Sequence, residues 1–228
     1  MQFDAHSVWV VCPAYNEART IGSVLGGLTG AGYQVVVVDD GSSDTTCDIA
    51  AQHATAVVRH PVNLGQGAAL KTGIDFALWR GAEAIVTFDS DGQHRVSDIR
   101  HLLDALTSRQ ADFALGSRFL NGTQKPPLLR KLLLRAATIF TAATTGLRLT
   151  DTHNGLRAFT RRGAMALNLR QDRMAHASEI LEEIARSGLA YVEVPVTIDY
   201  TEYSLAKGQR ASDAVMILLD LFARKLHR

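Results

Sequence analysis

The chain has 228 residues, enough for one sizeable α/β domain with its own hydrophobic core. Its formal net charge is only +1, which argues against nucleic-acid binding, and 46% hydrophobic and 21% charged residues are typical of a soluble globular protein. Two cysteines, Cys12 and Cys47, are too few for a disulfide framework or a zinc site. The first residues, Met1–Asp4, lack the basic region of a signal peptide, so we expect a cytoplasmic protein, peripheral to the membrane at most.

Strands and helices alternate through the first half of the chain. Short apolar runs predict buried strands at Val8–Cys12, Val35–Val38, Ala56–Val58, Ala84–Phe88 and Phe113–Gly116, with Pro13 expected to stop the first. Apolar residues at helical spacing predict helices at 21–28, 45–53, 67–79 and 99–106 between them. This order predicts a single α/β domain with a largely parallel sheet and helices on both faces.

The second half of the chain is less regular. The pattern predicts an apolar helix with a basic start at Arg130–Thr144, a loop and short strand at Asp151–Phe159, a helix at Ser178–Arg186, an edge or antiparallel strand at Tyr191–Tyr200, and an amphipathic helix at Ser212–His227. Pro195 argues against a central position for the strand that contains it.

Polar segments follow three of the predicted strands. They are Pro13–Glu17, Asp39–Ser42 and Asp89–Gln93. Because ligands of parallel α/β sheets gather beyond the carboxyl ends of the strands, we expect these segments to meet at one rim.

The pair Asp89 and Asp91 predicts a metal site. Two carboxylates two residues apart, with the amide oxygen of Gln93 nearby, suit Mg²⁺ or Mn²⁺, which take oxygen ligands and share them with substrate phosphates. The alternative is a simple turn, since Asp, Ser and Gly all favour turns.

Other polar residues near the rim have two interpretations each. Asp39 and Asp40 could bind a ribose or base, or stabilise the start of the next helix. Tyr15 could stack on a base, or belong to a capped turn. Arg118, after the fifth strand, suits a phosphate but also a surface ion pair.

Two glycine-containing loops complete the candidate site. Asn63–Ala69 has glycines that permit a ligand close to the backbone, although it lacks the ending of a P-loop. The late segment with Ser204, Lys207 and Arg210 predicts a phosphate-contacting lid, or else a solvated loop.

Taken together, these motifs resemble the family-2 glycosyltransferases of the GT-A fold, and within them the branch of dolichol-phosphate mannosyl- and glucosyltransferases. The matching segments, in chain order, are Pro13–Glu17, Val38–Asp44, Asn63–Gly67, Asp89–His94, Gly116–Phe119, Asp151–Arg157 and Tyr203–Gln209. They span nearly the whole chain, which makes the set far more specific than any one motif.

The resemblance implies a role for each matching residue. The donor-binding residues would be Pro13, Tyr15, Glu17, Val38, Asp39, Asp40 and Ser90, with Lys207 and Arg210 closing over the diphosphate. Asp89, Asp91 and Gln93 would hold Mg²⁺ or Mn²⁺, and Asp89, Asp91 and Arg118 would form the catalytic group near the sugar and phosphates. Residues 1–120 would bind the nucleotide sugar, and residues 121–228 would supply the acceptor side, the lid loop and an amphipathic C-terminal helix.

The activity that this resemblance implies is inverting transfer of a hexose from a GDP-mannose or UDP-glucose type of donor to a polyprenyl phosphate at the cytoplasmic membrane face. The alternative acceptor is a saccharide hydroxyl. It would need a general base, for which His94, His153 and Glu179 are the candidates. Two further alternatives for the whole chain are a nucleotidyltransferase and a non-catalytic nucleotide-sugar-binding module. The helix at Leu128–Thr144 would lie on the membrane or pack in the core. A small membrane protein or a second copy of the chain would be the partner.

Overall fold

The computed structural model describes residues 3–120, 138–139, 141–172 and 175–199, which form one seven-stranded sheet with helices on both faces. The strands are β1 (Val8–Ala14), β2 (Gln34–Asp39), β3 (Ala56–Arg59), β4 (Ala84–Thr87), β5 (Phe113–Ser117), β6 (Arg157–Thr160) and β7 (Tyr191–Pro195). The helices are α1 (Ile21–Gly30), α2 (Thr46–His53), α3 (Gln66–Trp79), α4 (Val96–Ser108), α5 (Arg161–Ala166) and α6 (His176–Ser187), and residues 141–145 are also helical.

The strand order is β3-β2-β1-β4-β6-β5-β7. Only β6 runs antiparallel to its neighbours β4 and β5, while the edge strand β7 pairs in parallel with β5. The predicted single-domain α/β fold with a mostly parallel sheet is therefore confirmed. Since β1, β2, β4 and β5 run in the same direction, their carboxyl ends lie along one rim.

Alternate residues of β1 contribute to two hydrophobic cores on opposite faces of the sheet. Val10 and Cys12 belong to the core that includes residues of α1, α2 and α4. Trp9 and Val11 belong to the core formed with α3, α5 and α6. Burial on both faces explains why β1 and β2 are nearly continuous apolar runs.

The prediction that Pro13 ends the first strand is wrong, because β1 continues through it to Ala14. Pro13 pairs with Val38 in the parallel ladder, and its carbonyl accepts a hydrogen bond from Ser90 Oγ at 2.8 Å. The missing N–H of proline thus removes only one ladder hydrogen bond at the strand's end.

Helix α5 was not predicted from the sequence. It is a short helix of six residues, and the Thr160 hydroxyl caps its start by accepting a hydrogen bond from Gly163 N.

Several predicted features lie outside the described residues. These are Ser204, Lys207, Arg210, the amphipathic helix at 212–227 and most of the helix at 130–144. Among the residues that the structure describes, no helix is long and apolar enough to cross a membrane.

Helix α3 lies unusually close to the sheet, and glycine makes this approach possible. A Cβ on Gly73 would sit 2.3 Å from Val11 Cγ1 and 3.2 Å from Val38 Cγ2. A Cβ on Gly67, at the start of the same helix, would sit 1.9 Å from the carbonyl oxygen of Gln171. Gly73 therefore allows α3 to pack closely against β1 and β2, and Gly67 allows the start of the same helix to pack against residues 171–172.

We predict that Gly73→Ala lowers the free energy of unfolding by roughly 1–3 kcal/mol, the usual cost of overpacking a core. The matched control is Gly26→Ala in α1, where a Cβ would meet nothing within 4 Å. That substitution should be neutral or stabilising by up to about 1 kcal/mol, since alanine is the better helix former. Urea unfolding of the two variants tests this, and equal effects at both positions would contradict the tight packing of α3.

Candidate functional site

The loops that follow β1 and β2 are joined by hydrogen bonds. Asn16, in the left-handed conformation at φ 54°, donates its N–H to Ser42 Oγ at 2.9 Å, and its side-chain oxygen accepts from Ser43 N at 2.9 Å. Glu17 N donates to Thr46 Oγ1 at 2.8 Å. The two loops therefore form one rigid unit at the rim.

The loop after β4 joins this unit through Ser90. The Ser90 hydroxyl donates to the Pro13 carbonyl at 2.8 Å, and the Ser90 carbonyl accepts from Thr20 Oγ1 at 2.8 Å. The sequence prediction that the segments at 13–17, 39–42 and 89–93 meet at one rim is thus confirmed by direct contacts.

Asp89 is held on both carboxylate oxygens. Gln66 Nε2 donates to Oδ1 at 3.0 Å, and His94 Nε2 lies 3.1 Å from Oδ2. A Cβ on Gly155 would sit 2.2 Å from Oδ2, so the backbone there packs directly against the carboxylate. Burial raises the pKa of Asp89, but the hydrogen bond and charge of His94, aided by His176 and Arg157, outweigh it and hold this pKa below its usual value.

Asp91 lies in a different electrostatic environment. Burial and the negative charge of Asp89 raise the pKa of Asp91, although Asp91 Oδ1 accepts a hydrogen bond from Gln93 N at 3.0 Å. The Gln93 carbonyl in turn accepts from Asp199 N at 2.9 Å. The end of the described chain is therefore fixed beside the loop that carries Asp91.

The side chains of this loop carry oxygens, the type of ligand that a hard divalent cation takes. Within the described residues no three His, Cys, Asp or Glu side chains come together as a metal cluster. The residues that the sequence predicts as ligands, Asp89, Asp91 and Gln93, offer two carboxylates and one amide oxygen in this loop. Mg²⁺ and Mn²⁺ in phosphate-binding sites typically use one or two carboxylates and complete their shell with phosphates and water. The crowding that raises the pKa of Asp91 is also the environment that a cation would relieve.

The two aspartates at the end of β2, Asp39 and Asp40, are both buried but differ in their partners. Asp40 accepts hydrogen bonds from Leu64 N at 2.9 Å and Gly65 N at 2.7 Å, and His60 Nδ1 lies 2.8 Å from its Oδ1. Asp39 Oδ1 accepts from the N–H of Ser42 at 3.2 Å, and the buried Oδ2 forms an ion pair with Arg59 Nε at 3.1 Å.

The remaining residues of the expected nucleoside site are distributed around this rim. Tyr15 is 44% exposed, while Glu17 is buried. Pro13 and Val38 are paired strand residues, and the Val38 side chain packs beneath Gly73 of α3. Tyr15 is thus the residue of this set with a ring open to a ligand.

Arg118 lies further along the rim, after β5, in a bidentate pair with Asp151. Its Nε and Nη2 donate to the two carboxylate oxygens at 2.7 and 2.9 Å, with the Arg118 side chain 12% exposed and Asp151 fully buried.

Arg157, in β6, is also buried. Burial lowers its pKa to about 10 against the opposing charges of Asp89 and Asp151. Arg157 therefore links the two groups electrostatically.

The sequence analysis missed the roles of several residues that build this site. They are Gln66, Gly155, Arg157 and His176, together with His94 in contact with Asp89. Gln66 and Gly155 both lie in segments that had been singled out, but only the folded chain shows that they touch the same carboxylate.

Comparison with known proteins matches residues 9–167 to the family Glycosyl transferase family 2. A UDP-N-acetylglucosamine–dolichyl-phosphate N-acetylglucosaminyltransferase of Methanococcus voltae is 32% identical over 96% of this chain and 94% of its own length. A polyprenol monophosphomannose synthase of Mycolicibacterium smegmatis is 32% identical over 87% of this chain and 79% of its own.

Among solved structures, glucosyl-3-phosphoglycerate synthase from Mycobacterium tuberculosis in complex with Mn²⁺, UDP and glucosyl-3-phosphoglycerate has a similar fold. The TM-score is 0.65 at 22% identity, covering 92% of this chain and 75% of that one. The similarity confirms the GT-A fold expected from the sequence motifs. The family model matches more than half of the chain, and the relatives named above are polyprenyl-phosphate sugar transferases. This chain therefore belongs to glycosyltransferase family 2.

Proposed function

We propose that this enzyme transfers a hexose, with inversion, from a nucleoside-diphosphate sugar of the GDP-mannose or UDP-glucose type to a polyprenyl phosphate. The observation that carries the proposal is the fixed pair Asp89 and Asp91 at the rim, directly beside the joined loops of β1 and β2. The names of the Methanococcus and Mycolicibacterium relatives, which specify dolichyl phosphate and polyprenol, support the choice of acceptor.

Asp89, Asp91 and Gln93 would hold Mg²⁺ or Mn²⁺, which when bound supplies positive charge against the diphosphate leaving group. The chain itself supplies the fixed orientation of Asp89 through Gln66 and His94. Holding the carboxylate in place beforehand avoids reorganisation during the reaction.

A phosphate acceptor also fits the proton chemistry of the site. A polyprenyl phosphate is already ionised near neutral pH and needs no strong base, whereas a sugar hydroxyl does. The pKa of Asp89 lies below its usual value, so Asp89 stays ionised, as a carboxylate that holds a cation would be.

The nucleoside would bind where β1 and β2 end. Asp39 Oδ2 is buried and forms an ion pair with Arg59 Nε at 3.1 Å, and the Arg59 side chain is 57% exposed. The carboxylate of Asp39 would accept a hydrogen bond from a base N–H at this end of the strands. Tyr15, with its exposed ring, would stack on the base.

The membrane and lid assignments complete the proposal. We place the enzyme at the cytoplasmic membrane face, with residues 1–120 binding the donor and 121–228 serving the acceptor. Asp199, the last described residue, is fixed beside Gln93 next to the proposed diphosphate site. Lys207 and Arg210, which lie outside the described residues, would close over the donor.

A donor and acceptor screen tests the reaction. The purified chain is incubated with radiolabelled GDP-mannose, UDP-glucose or UDP-N-acetylglucosamine, Mg²⁺ or Mn²⁺, and a polyprenyl phosphate. We expect label in the organic phase with one donor. Label found only in water-soluble product would reject the lipid acceptor, and no metal dependence would reject the cation.

Asp91→Ala tests the metal assignment separately. We expect it to weaken Mn²⁺-dependent nucleoside diphosphate binding by at least the roughly 10–100-fold seen when the surroundings of a metal site are disturbed. The control is Asp75→Asn on α3, whose half-exposed carboxylate pairs with Lys71 away from the loop, and which should bind as the wild type does. Titration calorimetry with and without Mn²⁺ measures both.

Arg118 would present a fixed positive charge to the phosphates, with Asp151 setting its orientation. We predict that Asp151→Ala lowers the free energy of unfolding by roughly 3–5 kcal/mol, because a largely buried guanidinium loses its partner. The matched control is Asp199→Ala, which breaks an equally bidentate pair with Arg95 whose side chains are about half exposed. Its effect should be far smaller. Equal losses in urea unfolding would contradict the special status of the Arg118 pair.

A further inference from the structure

Glu193 lies in the edge strand β7 and is half-buried. Its neighbours Val192 and Val194 face the hydrophobic core that includes residues of α1, α2 and α4, so the alternation of a strand places Glu193 on the other face, together with Tyr191. Tyr191 packs there against the second core, which includes Leu147. A charged side chain on such a face needs polar partners, and a loop of the second half of the chain supplies them.

The partners of Glu193 are two consecutive residues in the loop before β6. Its Oε1 accepts the N–H of Thr150 at 2.8 Å, the hydroxyl of Thr150 at 2.9 Å and the N–H of Asp151 at 3.2 Å. Its Oε2 lies 3.0 Å from Thr150 N. One carboxylate thus fixes the backbone from which the side chain of Asp151 extends.

The hydroxyl of Thr150 extends this contact to β5. An ionised carboxylate only accepts hydrogen bonds, so Thr150 Oγ1 donates to Glu193, and Ser117 Oγ, 2.6 Å from Thr150 Oγ1, donates to it in turn. Ser117 Oγ also accepts the N–H of Phe119 at 3.2 Å. The residues on both sides of Arg118 are therefore connected to Glu193 through two hydroxyl groups.

Asp151 provides a second connection, to Arg118 itself. Its carboxylate accepts hydrogen bonds from Arg118 N at 3.2 Å, Nε at 2.7 Å and Nη2 at 2.9 Å. This pair would still form without Glu193, but the backbone of Thr150 and Asp151 would lose its attachment to β7. The direction of the guanidinium would then be less narrowly set, because its carboxylate partner could move with the loop.

We propose that Glu193 is a positioning residue that sets, through the loop carrying Asp151, the direction in which the Arg118 guanidinium faces a phosphate. The phosphate concerned is that of the acceptor, because β6 separates β5 from β4, the strand that leads to Asp89. The role of Arg118 at this phosphate rests on the proposed function, whereas the connection from Glu193 to Arg118 is a property of the fold alone. The two parts are therefore tested separately.

Amide hydrogen exchange measured by NMR tests the connection without any substrate. In Glu193→Ala the N–H groups of Thr150 and Asp151 lose this acceptor, and the N–H of Arg118, which donates to Asp151, should be less protected as well. We expect all three to exchange about 10-fold faster or more than in the wild type. The N–H of Phe88, which donates to a carbonyl of β1, should not change. Unchanged exchange at Arg118 would overturn the proposal, since Glu193 would then hold only its own loop.

Transfer kinetics test the consequence for the reaction. Glu193→Ala should lower kcat/KM for the polyprenyl phosphate by about 10-fold or more, because a small misplacement of a catalytic group is costly. Binding of a nucleoside diphosphate with Mn²⁺, measured by titration calorimetry, should stay within about twofold of the wild type, since the contacts of Glu193 lie in a different loop from Asp89 and Asp91. Equal losses in both measurements would indicate a general disturbance and overturn the proposal.

A double-mutant cycle with Arg118→Lys shows whether Glu193 acts through Arg118. Lysine keeps the positive charge but cannot form the bidentate pair with Asp151. Once that pair is absent, the addition of Glu193→Ala should lower kcat/KM by no more than about a further twofold. Losses that multiply would mean that Glu193 acts by another route.

Glu193→Gln distinguishes hydrogen-bond acceptance from negative charge. Glutamine retains one oxygen that can accept at the position of Oε1, so it should recover most of the activity lost in Glu193→Ala. Equal impairment of the two variants would assign the effect to charge and overturn the proposal. If Glu193→Ala does not fold, Thr150→Val takes its place, because it removes the hydroxyl between Glu193 and Ser117. Its kcat/KM should fall while nucleotide binding with Mn²⁺ is kept, and an unchanged kcat/KM would then overturn the proposal.

Two variants serve as controls. Tyr191→Phe removes a hydroxyl on the same face of β7, which accepts Arg148 N at 3.0 Å, two residues before Thr150. Glu182→Ala removes an exposed glutamate from α6. Both should leave kcat/KM and the exchange of the Arg118 N–H within about twofold of the wild type. An effect in either control as large as that of Glu193→Ala would count against a specific role for Glu193.

Failure of the proposed function is distinguishable from failure of this proposal. A wild type that transfers no sugar to a polyprenyl phosphate would overturn the proposed function, and the role of Arg118 at the acceptor with it. The exchange experiment would still decide whether Glu193 holds Arg118 in place.

Discussion

Compensation of negative charge at the carboxyl ends of the strands is the constraint on which the site depends. The sheet brings several aspartates to one rim, and each would be costly to bury without partners. Asp40 is compensated by backbone N–H groups and His60, and Asp151 by a bidentate arginine. Asp89 is compensated by Gln66 and His94. Burial and the charge of neighbouring Asp89 raise the pKa of Asp91.

This uneven compensation distinguishes the carboxylates that hold the local structure together from the one that is best suited to a cation. Carboxylates with full sets of donors hold loops and helix starts, as Asp40 does for α3. The carboxylate of Asp91 accepts a backbone N–H from Gln93 and lies close to the charge of Asp89, so an added cation would be most favourable there. A single physical rule, that buried charge is paired or neutralised, therefore accounts both for the rigidity of the rim and for the position of the expected metal.

Much of this could be predicted from the sequence. The run Val35–Val38 and the helical spacing of α1 and α4 determine elements by local patterns alone, and the parallel topology then places 13–17, 39–42 and 89–93 together. Contacts between distant segments could not be predicted this way. Nothing local in the sequence indicates that Gly155 touches Asp89, or that Pro13 continues a strand, because both depend on which strands become neighbours.

Strand β6 shows how far such neighbours determine the chemistry. It comes from the second half of the chain, yet it inserts antiparallel between β4 and β5. That insertion places Gly155 against Asp89 on one side and carries the loop with Asp151 to Arg118 on the other. Buried Arg157, within the fields of both carboxylates, lies between them. Asp89 and the Arg118–Asp151 pair therefore lie on the two sides of one strand, so a shift in the register of β6 would move them relative to each other.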